Sequence, residues 1–70
     1  MNTRTSFITL DTRQITSTEA TTANSQARHM RETDLNEYGK SGYELRSTIV
    51  VPQEDGIVIV DTLARTQEMI

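Results

Sequence analysis

Four consecutive apolar residues, Ile57-Val58-Ile59-Val60, follow the turn signal Asp55-Gly56. Side chains alternate between the two faces of a strand, so a strand carrying this run is apolar on both. A hairpin strand with one face in water should alternate apolar and polar residues instead. The second face must be covered, either by another part of the chain or by another copy of it. The chain has 70 residues, and little of it is left to do the covering once the hairpin is drawn. The run therefore points to a homo-oligomer, a dimer or higher, with Ile57, Val58, Ile59 and Val60 as the self-association residues.

The run has an upstream mate. Residues 44–51 read as a strand with Leu45, Ser47, Ile49 and Val51 on one face and Arg46, Thr48 and Val50 on the other. Pro52 lacks an N–H and is expected to end regular pairing. Residues 52–56 form the turn, and the returning strand is expected over 57–66. Nearer the start, residues 6–10 read as a short strand with room to continue towards Ile15, with Ile8 and Leu10 on one side and Phe7 and Thr9 on the other. Residues 1–5 and 67–70 are expected to be frayed tails of one domain spanning 1–70, with Met69 and Ile70 free to dock on a neighbour.

Hydroxyl residues crowd the stretch 12–25, and such residues favour caps and turns over helix interiors. Thr16 with Glu19 has capping-box spacing, and Asn24 or Ser25 competes as an N-cap. The favoured helix start lies between Thr18 and Ala23, within limits of 17 and 25. From there Ala23, Ala27, Met30, Leu35 and Tyr38 mark a thin apolar stripe, interrupted by Asp34. Gly39 and Gly42 then punctuate the chain. Glycine adopts the positive φ that commonly ends a helix, and Tyr43 and Leu45 begin the next strand. The order strand–helix–strand–strand gives an α+β fold, a small β-α-β-β domain with one helix packed on an antiparallel sheet and a C-terminal β-hairpin.

The run Leu35-Asn36-Glu37-Tyr38-Gly39-Lys40-Ser41-Gly42-Tyr43-Glu44-Leu45 resembles the signature of a small bacterial and phage family, the domain of unknown function 4177. That family typically shows Leu-Asn-x-Leu-Gly-x-x-Gly-Trp-Glu-Leu, followed by Val-Ser and a hairpin. Tyr38 stands here for the usual leucine and Tyr43 for the usual tryptophan, both with a large apolar body. Arg46-Ser47 keeps the serine but not the valine. The close match covers about a dozen residues; the resemblance implies a fold and carries no agreed activity.

Composition narrows the function. A chain this short buries only about 60% of its unfolded surface, and such domains lean on disulfides, metals or partners. There is no cysteine and one histidine, which excludes disulfides, thiolate metal sites and a multi-histidine site within one chain. No cofactor is expected. The formal net charge is −3 and the seven basic residues are scattered, which argues against a sequence-independent nucleic-acid binder. No apolar run approaches the ~20 residues that span a bilayer, so no membrane association is expected. A cytoplasmic location follows, in the producing cell or a host cell.

Chemistry-bearing residues are few. His29 and Glu32 share a helix face, an arrangement able to bind a metal or move a proton, although a solvated polar pair is commoner. Glu54 and Asp55 sit at the hairpin tip. Asp61 interrupts an apolar strand, where a carboxylate is costly to bury alone; Arg46 offers a cross-strand partner, and an outward-facing charge is the plainer reading. Arg28, Arg31, Tyr38 and Tyr43 are the residues expected to contact a ligand or partner. The sequence favours a non-enzymatic interaction module that self-associates and binds a protein or small ligand. The alternative is a phage-type inhibitor that blocks or sequesters a host defence component.

Overall fold

The computed structural model describes residues 2–69. Strand β1 (Asn2–Ile15) leads through a single 3₁₀ turn (Thr18–Ala20) into helix α1 (Thr21–Lys40). Strands β2 (Glu44–Gln53) and β3 (Gly56–Met69) then form a hairpin. The sheet is antiparallel in the order β1-β3-β2, so the last strand is the central one. The chain is a small α+β domain with one helix on one face of the sheet, as the strand–helix–hairpin pattern predicts.

Two glycines fix the corners. Gly42 has φ +89, the left-handed conformation that releases the chain from α1. The amides of Ser41, Gly42 and Tyr43 return to the carbonyls of Tyr38 and Gly39 at 3.0–3.1 Å, closing the helix end. Gly56 opens β3 directly beneath β1, and a Cβ there would overlap the carbonyl oxygen of Gln14. The hairpin tip is also tied to the end of β1. Thr16 N–H donates to the Asp55 carbonyl at 2.9 Å, and Arg13 pairs with the Asp55 carboxylate at 3.0 Å. Asp55 thus anchors the tip as well as solubilising it.

Several expectations are corrected. Residues 2–5 and 67–69 are not frayed tails: Asn2 pairs with Met69 and the ladder runs unbroken to Ile15 opposite Gly56. Met1 and Ile70 lie outside the described residues. Beyond the Glu44–Ala64 pair, where β2 begins, β1 and β3 continue as a two-stranded ribbon. Pro52 does not end the pairing; it lies inside β2 opposite Ile57, on an edge strand where a missing N–H costs nothing if it faces outward. The N-terminal cap of the helical segment is Ser17, whose hydroxyl accepts from Glu19 N–H at 3.2 Å, so Thr16 and Glu19 form no capping box. Asn24 is not a cap. It lies within α1 and clamps the end of β1, accepting from Ile15 N–H at 2.8 Å and donating to the Ile15 carbonyl at 2.7 Å.

Register assigns the faces. Asp61 and Leu63 lie under the helix with Thr12, Leu10 and Ile8 of β1 opposite or beside them. A bulge between Leu45 and Ser47 breaks the alternation of β2. Leu45 pairs with Leu63 and faces the helix, whereas Ser47, Ile49 and Val51 face the other way; Leu45 does not share their face as strict alternation predicts. The helix stripe also differs. Asn24, Ala27, Arg31 and Leu35 are its partly buried members, whereas Ala23 and Met30 are exposed. The inward stripe shares Ala27 and Leu35 with the apolar one but takes Asn24 for Ala23 and Arg31 for Met30, and Asn24 and Arg31 both bond to the sheet strands. The core is small: among the described residues only Leu63, Ala64, Thr12 and Asp61 are buried.

Candidate functional site

The best-buried polar group among the described residues is Asp61, with 0% exposure at the centre of β3. Its carboxylate accepts from Arg31 Nε at 2.6 Å and from Arg31 Nη2 at 2.9 Å, a two-pronged contact from the middle of α1. Thr48 Oγ1 of β2 donates a third hydrogen bond at 2.7 Å. A guanidinium fork matches a carboxylate in this way and makes the bond stronger than a neutral one. The hydrogen bonds from Arg31 hold the Asp61 carboxyl below the usual carboxylate range, against the opposing effect of burial, with Thr48 adding to the lowering. Arg31 is raised by the same hydrogen bonds. The partner of Asp61 is therefore Arg31 and not Arg46, and Asp61 faces inward rather than outward. The ion pair fastens helix to sheet, and the Arg31 side chain, 29% exposed, also lines the groove beside α1.

Arg28, His29, Arg31, Glu32 and Leu35 of α1 line an open groove of about 610 Å³ with Ile59 of β3. Arg28 donates to Gln14 Oε1 at 2.9 Å and to Ser25 Oγ at 3.2 Å, so its neutral partners leave its charge uncompensated. His29 and Glu32 share the groove wall as their spacing predicts. No group of three or more His, Cys, Asp or Glu able to hold a metal ion occurs among the described residues.

Tyr38 and Tyr43 are not brought to Arg28. Tyr38 sits near the end of α1, ten residues from Arg28 or about 15 Å of helix, and Tyr43 lies just past the helix, before β2. Their rings meet edge-on, with centroids 5.5 Å apart and planes at 83°. The Arg65 guanidinium lies 4.9 Å from the Tyr43 ring centre and donates to the Ser41 carbonyl at 3.2 Å. Edge-on aromatic contact and a cation over a ring are both stabilising, so this trio closes the helix–strand corner. The four expected contact residues fall in two places: Arg28 and Arg31 line the groove, and Tyr38 and Tyr43 pack against each other beyond it.

The self-association residues divide between the faces. Ile57 and Ile59 share the helix side of β3 with Asp61, whereas Val58 and Val60 point to the opposite face. That face carries no helix. Phe7 and Thr9 of β1 and Ile49 and Val51 of β2 join Val58, Val60 and Thr62 on it. Phe7 is 65% exposed and Ile49 56% exposed. Phe7, Ile49 and Val51 did not stand out in the sequence; their alternation shows that they share a face, but only the sheet order joins them to Val58 and Val60.

No family model matches the chain, and neither a curated protein nor a solved structure matches it. No helix among the described residues is long and apolar enough to cross a membrane.

Proposed function

We propose that the protein is a non-enzymatic interaction module that self-associates, and that its function is binding. One observation carries the reading: the chain exposes 5336 Å², whereas a compact protein of 7.9 kDa exposes about 4,400 Å². Its shape agrees. The radius of gyration is 15.0 Å against about 11 Å for a compact chain of this length, and the extents are 53 × 21 × 10 Å. A backbone only 10 Å deep along its shortest axis has room for few buried residues. The excess of about 900 Å² is close to the ~800 Å² that each partner contributes to a stable interface.

Self-association would still leave the groove beside α1 open to a protein or small ligand, with Arg28 as its uncompensated charge. Native mass spectrometry on the purified chain tests both parts. The expected result is a multiple of 7.9 kDa, and any retained extra mass identifies a ligand. A single bare chain at micromolar concentration overturns the self-association reading.

A further inference from the structure

The sheet has two faces and the described chain has one helix. On the helix face, the polar clasp of Arg31, Asp61 and Thr48 fills the centre, and charged side chains of α1 line the flanking groove. The opposite face is different in kind. From the hairpin end its side chains are Val51, Val58, Ile49 and Val60, then Thr9, Thr62 and Ser47, then Phe7 and Ala64. The charged residues that the register places on this face in the three-stranded region, Asp11, Arg13 and Glu44, lie on the two edge strands, as does Arg46 in the bulge of β2. Arg13 is already paired with Asp55. The central strand presents none until Glu68, out on the two-stranded ribbon.

We infer that this uncovered face is the contact surface between two copies of the chain, packed face to face as the two layers of a β-sandwich. The inference rests on the self-association reading and adds the surface. A flat face of β-branched residues with charges at its margin has the anatomy of an interface core and rim. Two such sheets interdigitate about 10 Å apart. The area agrees, since the surface exposed beyond that of a compact chain is about what one partner of a standard dimer buries. A second copy also supplies what the single chain lacks: another sheet of the same twist and length to complete a core of which Leu63 and Ala64 are the only buried apolar members among the described residues. The helix face is disfavoured as the contact because burying Arg28 and Glu32 there would desolvate charges that no ion pair of the described residues engages.

Ile49 and Val50 provide an internal control. They are neighbours in β2, both 56% exposed in the single chain, and they point to opposite faces. Lysine at either position costs the isolated chain a similar amount. Ile49→Lys is expected to reduce the native mass to one chain, with Val50→Lys retaining the multiple. If Val50→Lys dissociates the assembly and Ile49→Lys does not, the assigned face is wrong while self-association stands. If the wild-type chain is itself a monomer, both readings fall. A measurement on the wild-type chain covers the case in which a variant fails to fold. With methyl-labelled protein and a soluble paramagnetic probe, the Ile49 methyl signals are expected to be spared and those of Val50 broadened. Equal broadening of the two would overturn the inference even if the chain is an oligomer.

Discussion

Arg31→Met tests the clasp between helix and sheet most directly. It leaves the Asp61 carboxylate in a site with 0% exposure, with the Thr48 hydroxyl as its remaining side-chain donor. Removing one partner of a buried ion pair typically costs 3–5 kcal/mol. The Arg31 side chain is 29% exposed, so water reaches the vacated position and the lower figure, ~3 kcal/mol, applies. A 70-residue domain has a total stability of roughly 4–10 kcal/mol, so this single change removes a large fraction of it. Asp61→Leu should cost less, about 1–2 kcal/mol, because the freed guanidinium can swing into solvent on its long stem. The double variant Arg31→Met/Asp61→Leu replaces both charges by apolar groups and should lie within about 1 kcal/mol of the wild type. The assay is urea unfolding followed by far-ultraviolet circular dichroism, at one fixed chain concentration because association shifts the midpoint. If Arg31→Met costs under about 1 kcal/mol, or the double variant shows the sum of the two single losses, the clasp does not hold the helix as argued.

The same carboxylate sets an acid limit. Asp61 titrates lower in the folded chain than in the unfolded one, so the unfolded chain takes up the proton first. Its stabilising contribution is complete above the usual carboxylate range and is lost as pH falls through the folded value; Asp61→Asn should flatten the fall in urea midpoint below about pH 4, and an unchanged slope would show that other groups control it. Gly56→Ala should destabilise by ~2 kcal/mol, because its Cβ meets the Gln14 carbonyl and one strand must move; a midpoint equal to wild type would mean the hairpin relaxes freely. Asn24→Ala should cost about 2 kcal/mol, since both Ile15 backbone groups lose their partner. A thermal melt reports that loss, and a shift within error would place water on those groups.

The order of elements was legible because punctuation residues mark it: Gly42 ends the helix region and Asp55-Gly56 turns the hairpin. Sheet order was not legible, because β1 reaches β3 across the whole chain and leaves no periodic trace of that pairing. The ribbon residues 2–5 and 66–69 are mostly polar, and their pairing is propagated from the ladder beside them. Leu45 was misplaced because a bulge shifts the phase of alternation without a glycine to announce it. The Arg31–Asp61 clasp did leave a signal in two halves: an acid inside an apolar strand, and a base on the face of α1 that carries Ala27 and Leu35. Joining them needed the packing of α1 across the sheet. The uncovered face was half visible, through Val58 and Val60, but which side of β3 the helix takes depends on where Arg31 meets its partner.

The two-stranded ribbon changes how this chain should open. Residues 2–5 and 66–69 have neither helix nor third strand against them, and an isolated two-stranded ribbon is marginal in water. The four buried residues all lie in the three-stranded part. Local opening energies should therefore rise along β3, from near zero at Met69 to the global value around Asp61. Amide hydrogen exchange would read this as one strand with two lifetimes. The ladder can unzip from that end and close again while the waist of the molecule, and any second sheet against it, stays in place.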